Sequence, residues 1–280
     1  RMKIEKIRAA CFSPTGGTKT LVQFLAEELA ARLQIPVEII DFTRPGTRQE
    51  THNFGKTDLF ILGMPVYAGR IPNKILPDVD RIFTGEDTLA IPVSVFGNRN
   101  YDDALMEEKL LLEKHGFQVI AAAAMVSRHV FSTKLAADRP DQQDWDELCV
   151  FIDQVAKKIR LWEEDGLQET EKKICVQGHD PVGAYYTPLD TEGKPARFLK
   201  AKPVVDEKRC TQCGLCAEVC PMGSIPVEDG TRTDGICIKC QACIQKCPMK
   251  ARRMEDAALL SHIQMLEEHY TRRASNAFFW

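Results

Sequence analysis

The chain contains two closely similar cysteine-rich stretches, CTQCGLCAEVCP at residues 210–221 and CIKCQACIQKCP at residues 237–248. Each follows the pattern Cys-x-x-Cys-x-x-Cys-x-x-x-Cys-Pro, and together they hold eight of the eleven cysteines. Such an internal repeat predicts two related halves arranged about a pseudo-two-fold axis. The regular spacing also argues against a secreted disulfide scaffold, because cysteine runs of this kind usually bind metals or clusters.

The spacing of these cysteines indicates iron–sulfur chemistry. A cubane [4Fe–4S] cluster takes four soft thiolate ligands, and in bacterial runs of this pattern the fourth cysteine binds the other cluster. The predicted ligand sets are Cys210, Cys213, Cys216 with Cys247, and Cys237, Cys240, Cys243 with Cys220. Structural zinc also uses Cys-x-x-Cys pairs and is the alternative, but it has no use for the third cysteine or the Cys-Pro. The C-terminal quarter is therefore predicted to transfer single electrons.

Length and charge bound the remaining possibilities. The 280 residues suffice for more than one domain, and the net charge of −3 comes from acidic and basic residues mixed along the chain. Because the charges are mixed, we expect no nucleic-acid-binding surface. We also expect no membrane span, since no apolar run approaches the ~18 residues that a span needs. With no apolar signal-peptide core at the start, we expect a cytoplasmic protein. The three other cysteines, Cys11, Cys149 and Cys175, are each expected to be a small, buried apolar residue without a redox role.

Residues 1–165 alternate between apolar strand patterns and helical patterns. Strands are predicted at residues 4–12, 37–41, 59–62, 89–96 and 119–126, and helices at 17–33, 73–83, 101–115 and 141–162. This alternation predicts an α/β domain with a five-stranded, doubly wound parallel sheet. Pro92 interrupts the fourth strand and must lie near its start or at an unpaired position, because proline has no N–H to donate.

The rest of the chain divides into three predicted parts. Residues 166–205 are rich in Gly, Pro and Tyr and are expected to form a connector whose tyrosines pack against another element. Residues 206–250 form the cysteine module, an α+β unit of the bacterial 2[4Fe–4S] type. Residues 251–280 form a C-terminal helix, near residues 255–273, and a tail. The tail ends in Phe278-Phe279-Trp280, which is too apolar to be fully solvated and could contact a partner subunit.

Three loops follow predicted strands and carry the features of a ligand site. The first, SPTGGTK at residues 13–19, opens a helix whose free N–H groups and dipole favour an anion. A helix cap by Thr15 or Thr18 is the simpler alternative. The second and third loops are GMPVYAGRIP at residues 63–72 and GNRNYDD at residues 97–103. All three lie at the carboxyl ends of strands, where doubly wound sheets bind ligands.

On these loops residues 1–165 resemble a flavodoxin, and the chain as a whole resembles the bacterial flavodoxin–ferredoxin fusion family. The signatures Gly-x-Pro-Val-Tyr-x-Gly-Arg and Gly-Asn-Arg-x-Tyr-Asp-Asp carry the resemblance, which covers all but the last twenty or so residues. It implies a noncovalently bound FMN beside two [4Fe–4S] clusters. The implied phosphate-binding residues are Ser13, Thr15, Gly16, Gly17 and Thr18. The implied ring-binding residues are Pro65, Val66, Tyr67, Ala68, Gly69 and Arg70 on one side, and Gly97, Asn98, Arg99, Tyr101 and Asp102 on the other.

Two arginines distinguish these loops from ordinary acidic flavodoxins. Arg70 and Arg99 would stabilise a reduced, anionic flavin if they reach the ring. Ion pairs with Asp102 or Asp103 are the alternative. In the loop at residues 127–132, Arg128 and His129 are weak catalytic candidates, since a histidine in a loop is more often structural or solvated.

Two functions are compatible with these features. The first is intramolecular electron transfer, in which two clusters exchange electrons with FMN and with redox partner proteins that the sequence does not identify. The second is an FMN-dependent reductase that the clusters supply with electrons. Arg70, Arg99, Arg128 and His129 would then bind a small anionic substrate. Because exposed thiolate clusters are sensitive to oxygen, an anaerobic host is expected.

Overall fold

The computed structural model describes residues 3–165 and 174–280. Part of the expected connector, residues 166–173, lies outside the described residues. The strands are β1 Lys6–Cys11, β2 Val37–Asp41, β3 His52–Phe54, β4 Asp58–Pro65, β5 Phe83–Gly85, β6 Thr88–Phe96, β7 Phe117–Val119, β8 Ala122–Val126, β9 Val204–Val205, β10 Arg252–Arg253 and β11 Ala277–Phe279. The helices are α1 Gly17–Leu33, α2 Leu76–Ile82, α3 Ala104–Lys114, α4 Gln142–Asp165, α5 Leu215–Glu218, α6 Ala242–Gln245 and α7 Ala257–His269, with a short 3₁₀ helix at Gly46–Gln49.

The main sheet has the order β11-β8-β6-β4-β1-β2, and β7 also pairs with β6. All pairs are parallel except the one between β11 and β8. Counting β7 and β8 as one position, the parallel strands follow the order 2-1-3-4-5, which is the flavodoxin-like arrangement. The sheet has seven strands rather than the five predicted, for two reasons. The last predicted strand is broken into β7 and β8, and the tail adds the antiparallel strand β11.

The break between β7 and β8 accommodates Pro92 in the middle of a central strand. β6 pairs with β7 through Ala90 and resumes pairing with β8 at Val93, so Pro92 has no partner on that side. On its other side Pro92 is in register with Leu62 of β4. Proline therefore lies where the neighbouring ladder is interrupted, which is the unpaired position that the sequence suggested.

Helices cover both faces of the sheet. α1 and α4 pack on one face, around fully buried residues such as Leu25 and Phe151. α2 and α3 pack on the other face, where Phe60 lies in a group of buried aromatic rings. Burying each of these large side chains stabilises the fold by about 1.5–3 kcal/mol. No helix within residues 3–165 and 174–280 is long and apolar enough to cross a membrane.

The cysteine module repeats its backbone conformation every 27 residues, the separation of Cys210 and Cys237. Helices α5 and α6 begin 27 residues apart. Left-handed residues also recur in pairs at this spacing: Gln212 and Lys239, Gly214 and Gln241, and Gly223 and Lys250. The antiparallel pair β9–β10 closes the ends of the module. The sequence repeat is therefore also a structural repeat.

Arg48, in the short 3₁₀ helix, joins the cysteine module to the sheet domain. Its side chain is buried and donates to the carbonyl oxygen of Pro221 at 2.6 Å and to that of Thr43 at 2.6 Å. Asp78 pairs with its Nε at 2.7 Å, so the buried charge is compensated. A paired and hydrogen-bonded guanidinium of this kind fixes the relative position of the elements it touches.

The C-terminal tail returns to the sheet. Its strand β11 pairs with residues 122–124, and Phe278 stacks on Phe151 with ring centroids 5.0 Å apart. A buried ion pair between Arg139 and Asp144 supports it, because Arg139 also donates to the carbonyl oxygen of Ala274 at 3.0 Å. Phe278 is half-buried, whereas Trp280 is 51% exposed, so the tail is partly protected from solvent.

Candidate functional site

The loop after β1 leaves the N-terminus of α1 open. Gly16 precedes the helix with φ near 100°, a left-handed conformation that favours glycine, and as the N-cap residue it supplies no capping side chain. In the part of the chain that the structure describes, the N–H groups of residues 15–18 donate to no protein acceptor. Thr15, Gly17 and Thr18 line a large cavity. Free N–H groups at the start of a long helix fit a phosphate group.

Two hydroxyl groups near this loop have roles that the sequence did not indicate. Ser13 points away from the cavity: its Oγ accepts from the Lys19 N–H at 2.9 Å, and its own N–H donates to Thr43 Oγ1 at 2.8 Å. Ser127, directly after β8, lines the cavity instead. A Cβ atom on Gly17 would lie 2.8 Å from Ser127 Oγ, so the two residues touch. The only sequence signal for Ser127 is a hydroxyl at the end of the last parallel strand.

The second loop forms a tight turn at the end of β4. The N–H of Tyr67 donates to the carbonyl oxygen of Arg70 at 2.9 Å, and Ala68 and Gly69 between them are left-handed. A side chain on Gly69 would collide with the carboxylate of Asp102. Glycine is therefore required here both for its backbone conformation and for the close approach of the third loop. The whole stretch of residues 65–69 lines the cavity.

Some residues of the third loop line the cavity, and others contact the rest of the protein. Gly97, Arg99 and Asn100 line the cavity. Asn98 instead anchors the tail, because its amide donates to the carbonyl oxygens of Tyr270 and Arg272, both at 2.7 Å. Its Oδ1 accepts from the N–H of Ala274 at 3.1 Å. The predicted ring-binding role therefore does not extend to the Asn98 side chain.

The other predicted side chains are also engaged elsewhere. Tyr101 is buried and donates to Gln177 Oε1 at 3.0 Å. Asp102 forms an ion pair with Arg99, which is one of the alternatives left open by the sequence. Arg70 pairs with Glu107 rather than with Asp102 or Asp103. Of the predicted flavin-binding residues, those that do not line the cavity are Ser13, Gly16, Arg70, Asn98, Tyr101 and Asp102.

The cavity has a volume of about 480 Å³ and lies at the carboxyl ends of β1, β4, β6 and β8. Three further segments, besides the three loops assigned to FMN from the sequence, complete its wall. One is the loop at residues 127–131, which brings in Arg128 and His129. The second is the connector, with Tyr185, Tyr186, Pro188, Phe198 and Leu199. The third is α7, with His262 and Leu266. The expectation that the connector tyrosines pack against another element is met: Arg70 lies over Tyr185 and Arg99 over Tyr186.

The eight cysteines of the repeat line two small cavities in the cysteine module. One is lined by Cys210, Cys213, Cys216 and Cys247, and the other by Cys220, Cys237, Cys240 and Cys243. This is the crossed grouping that the sequence spacing predicts. Backbone N–H groups donate to the sulfur atoms of Cys220, Cys237 and Cys247, each at 3.4 Å. Four thiols with N–H donors around a cavity fit an iron–sulfur cluster, whose charge such hydrogen bonds stabilise.

Two thiols of the second cysteine cavity have raised pKa values. Burial raises the pKa of Cys240 to about 12 and that of Cys243 to about 11. Without a cluster these side chains would therefore remain protonated near neutral pH. Because a metal centre binds the thiolate, loading of this cavity must release protons.

The second cysteine cavity and the large cavity share a wall. Ile238 and Lys239, which lie between Cys237 and Cys240, line both of them. Tyr67, from the other side, lines the large cavity and packs against the apolar cluster that contains Cys240. A ligand in the large cavity is therefore separated from the second group of cysteines by a single layer of residues.

Comparisons with known proteins give one family match and several similar solved structures. A family model described as a 4Fe-4S binding domain matches residues 203–225, which include the first cysteine run. No curated protein matches. Similar solved structures include a flavodoxin from the domain Archaea (12% identity, 55% of this chain, 99% of that chain, TM-score 0.41). Others are the flavodoxins of Streptococcus pneumonia TIGR4 (15%, 55%, 99%, 0.39) and Megasphaera elsdenii (15%, 54%, 98%, 0.35).

The fold assignment of the N-terminal domain depends on the strand order rather than on these low similarities. The cysteine run that matches the 4Fe-4S model lies in the separate C-terminal module. The chain therefore joins a domain with a flavodoxin-like parallel sheet to a ferredoxin-like 4Fe-4S region, the composition of a flavodoxin–ferredoxin fusion.

Proposed function

We propose that this chain transfers electrons between two [4Fe–4S] clusters and an FMN bound in the large cavity. The observation that carries the proposal is the wall shared by the second cysteine cavity and the large cavity. Ile238 and Lys239 line both spaces, and Tyr67 packs between the large cavity and the cluster that contains Cys240. A thin, packed wall between two redox groups is what fast electron transfer between them would require.

Three groups of residues would hold the FMN. The N–H groups of residues 15–18, with the hydroxyls of Thr15, Thr18 and Ser127, would bind the phosphate. Residues 65–69 and the third loop would enclose the ring. When bound, FMN can accept one or two electrons and so couples one-electron carriers to two-electron chemistry. The role of the chain is to hold the ring beside the wall formed by Tyr67 and Ile238.

The two cysteine groups would act in series. The group lined by Cys220, Cys237, Cys240 and Cys243 borders the large cavity, so its cluster would be the nearer one to the flavin. In the other group Cys213 is exposed, which suits exchange with an external protein, whereas Cys240 is buried. The proposed order is therefore external carrier, outer cluster, inner cluster, FMN, or the reverse.

The positions of the basic side chains around the cavity disfavour the small anionic substrate that the sequence suggested. Arg70 pairs with Glu107 and does not line the cavity, and Arg99 pairs with Asp102. Burial lowers the pKa of His129 to about 4, so this histidine is neutral at physiological pH. Arg128 is exposed and donates to Gln245 Oε1 at 3.2 Å. The cluster-fed reductase remains the second candidate because the cavity extends beyond the loops expected to hold FMN.

Anaerobic purification tests the cofactor content directly. We expect about eight iron and eight sulfide atoms per chain, together with one FMN, as two cubanes and a flavin require. A second experiment removes the inner cluster by the Cys243→Ala change. Flavin reduction by a one-electron donor should then slow at least tenfold, while the FMN content stays constant. Zinc in place of iron, or flavin reduction unaffected by loss of the inner cluster, would contradict the proposal.

The phosphate site can be tested separately. Each hydrogen bond to a charged group is worth about 1.5–3 kcal/mol, so Thr15→Ala and Ser127→Ala should each weaken FMN binding roughly tenfold or more. Thr191→Ala is the control, because this exposed hydroxyl hydrogen-bonds to Ser261 and does not line the cavity. If all three variants bound FMN with equal affinity, the proposal that this loop binds the FMN phosphate would be wrong.

A further inference from the structure

The end of the large cavity formed by α7, the connector and the loop after β8 is referred to here as the distal pocket. It is lined by His129, Phe131, Tyr186, Phe198, His262 and Leu266. None of these residues belongs to the three loops that resemble the FMN-binding loops of flavodoxins. Two of them contact those loops, because the Tyr186 N–H donates to the carbonyl oxygen of Ala68 at 2.8 Å and the His129 ring packs on Gly97. With FMN held by the three loops as proposed, the distal pocket would be the part of the cavity left for a second ligand.

Hydrogen bonding fixes the protonation of His129. The N–H of Phe131 donates to His129 Nδ1 at 3.2 Å, so Nδ1 is the acceptor and the ring proton is on Nε2. The ring packs directly on Gly97, where a Cβ atom would lie 2.6 Å from His129 Cδ2. Burial keeps this imidazole neutral by lowering its pKa to about 4. Among the described residues Nε2–H has no hydrogen-bond partner, so His129 offers a donor.

His262 has the opposite arrangement. Its Nδ1 lies 2.7 Å from the carbonyl oxygen of Leu189. A carbonyl oxygen only accepts, so Nδ1 carries the proton, and Nε2 of the neutral ring has a free lone pair. The side chain is only 5% exposed, and burial lowers its pKa. No other hydrogen bond of this ring is formed within the described chain, so His262 offers an acceptor.

The other residues of the distal pocket carry aromatic or aliphatic side chains, and the buried Tyr186 hydroxyl has no hydrogen-bond partner within the described residues. Phe198 stacks on the His262 ring with centroids 5.5 Å apart and an interplanar angle of 29°. The Tyr186 ring centroid lies 6.5 Å from that of His262, and the Arg99 guanidinium lies over the Tyr186 ring. His129 and His262 both line this cavity. One donor and one acceptor therefore lie near each other between aromatic surfaces.

We propose that the distal pocket binds a neutral, planar ligand that has both a hydrogen-bond acceptor and a donor, as aromatic carboxamides and lactam-containing rings do. The ligand's carbonyl oxygen would accept from His129 Nε2–H, and its N–H would donate to His262 Nε2. A carboxylate of the same shape would accept from His129 but would meet the lone pair of His262. This inference rests on the proposed function, because FMN must occupy the loop side of the cavity.

The test uses three probes of equal size with the FMN-loaded, cluster-loaded protein. Benzamide has an acceptor and a donor, acetophenone has only the acceptor, and benzoate is an anion without a donor. Binding is measured by calorimetry and by the change in the flavin absorbance spectrum. Since one hydrogen bond contributes about 1 kcal/mol or more, benzamide should bind about tenfold more tightly than either of the other probes.

Two variants remove the proposed donor and acceptor while keeping the structural hydrogen bonds. In His129→Asn and His262→Asn the amide can replace Nδ1, but nothing replaces Nε2. His262→Asn should weaken benzamide binding about tenfold and leave acetophenone binding unchanged, whereas His129→Asn should weaken both. His269→Asn, at the exposed end of the same helix α7, is the matched control and should bind all three probes like the wild type.

The FMN and iron contents of every protein are measured before the titrations. A wild-type protein that does not retain FMN would refute the proposed function, and the distal pocket inference with it. If FMN is retained, the inference alone is refuted by any of three results. The first is that benzamide does not bind. The second is that benzoate or acetophenone binds as tightly as benzamide does. The third is that benzamide binds equally well to the wild type and to both variants. Loss of FMN from the His129→Asn variant would show that His129 contributes to FMN binding, and this result would also refute the distal pocket inference.

Discussion

Tyr67 and Cys240 belong to one apolar cluster, together with Val219 and Ala242. Tyr67 comes from the loop after β4, and Cys240 from the second cysteine run, so this contact joins the two parts of the chain. Burial, followed by the charges of Cys240 and Cys237, raises the pKa of Tyr67 well above its usual value of 10. The Tyr67 side chain is therefore neutral, and its role in the wall is that of a packed aromatic ring.

The first prediction concerns this ring. Tyr67→Ala should slow electron transfer between the inner cluster and FMN about tenfold, because the change opens a gap in the wall. Tyr67→Phe keeps the ring and should transfer electrons at nearly the wild-type rate. Stopped-flow measurement of flavin reduction, with FMN and iron contents shown to be equal, distinguishes the two variants. Equal rates for Tyr67→Ala and Tyr67→Phe would mean that electrons follow another route.

Elements with a strong local pattern were predicted from sequence almost to the residue. Helix α1 and strand β2 have the predicted bounds, because apolar spacing along one segment is enough to define them. The grouping of the cysteines likewise follows from a spacing that allows few geometries. By contrast, β11 contains three residues and pairs with residues more than 150 positions earlier, so no local pattern could indicate it.

The cavity was less predictable because tertiary contacts decide where each side chain points. Arg70 belongs to a loop that borders the cavity, but it turns towards Glu107, which lies 37 residues later on α3. Asn98 turns towards the tail. Conversely, His262 is part of a helix that appeared only amphipathic in sequence, and it reaches the cavity because α7 packs across the connector. In each of these cases the partner that decides whether the side chain lines the cavity lies far away in the sequence.

The second prediction concerns the buried Arg252 between the two cysteine groups. Its guanidinium lines the first cysteine cavity and also lowers the pKa of Cys243 in the second. It donates to the carbonyl oxygen of Gly230 at 2.5 Å and to Thr233 Oγ1 at 2.8 Å, while its buried Nε has no hydrogen-bond partner among the residues that the structure describes. Arg252→Met should lower the reduction potentials of both clusters by on the order of 50 mV, since removing a nearby positive charge disfavours added electrons.

Redox titration followed by electron paramagnetic resonance measures this shift. The control is Arg253→Met, because Arg253 is exposed and pairs with Glu255. A similar shift in both variants would mean that net charge, rather than the buried position of Arg252, determines the potentials.

The third prediction concerns the support of the tail. Asp144 is fully buried and pairs with the buried Arg139, and it also accepts from Asn276 Nδ2 at 2.8 Å. Asp144→Asn leaves the guanidinium buried without its counter-charge, which should cost about 3–5 kcal/mol. Hydrogen exchange should then become faster in β11 and β8. Asp146→Asn on the same helix is the control, and equal exchange in the two variants would show that the ion pair does not hold the tail.

The fourth prediction concerns Glu108, a fully buried carboxyl on α3 that hydrogen-bonds to Ser94. Burial raises its pKa well above 4.5, and its Oε2 has no partner within the described residues. The folded protein therefore keeps a proton that the unfolded chain releases above about pH 4.5. Stability contributed by this group is complete below that pH and falls as the pH rises towards the folded-state pKa.

Glu108→Gln removes this titration. Relative to wild type, the variant should gain about 1.4 kcal/mol of stability for each pH unit above 4.5, until the pH reaches the folded-state pKa of Glu108. Native-state hydrogen exchange in β6, measured between about pH 5 and 8, reports the free energy of opening without unfolding the cluster module. The exposed Glu86→Gln is the matched control. If the difference between Glu108→Gln and wild type did not change with pH, Glu108 would not be protonated in the folded protein, because only a group that titrates differently in the two states can produce such a slope.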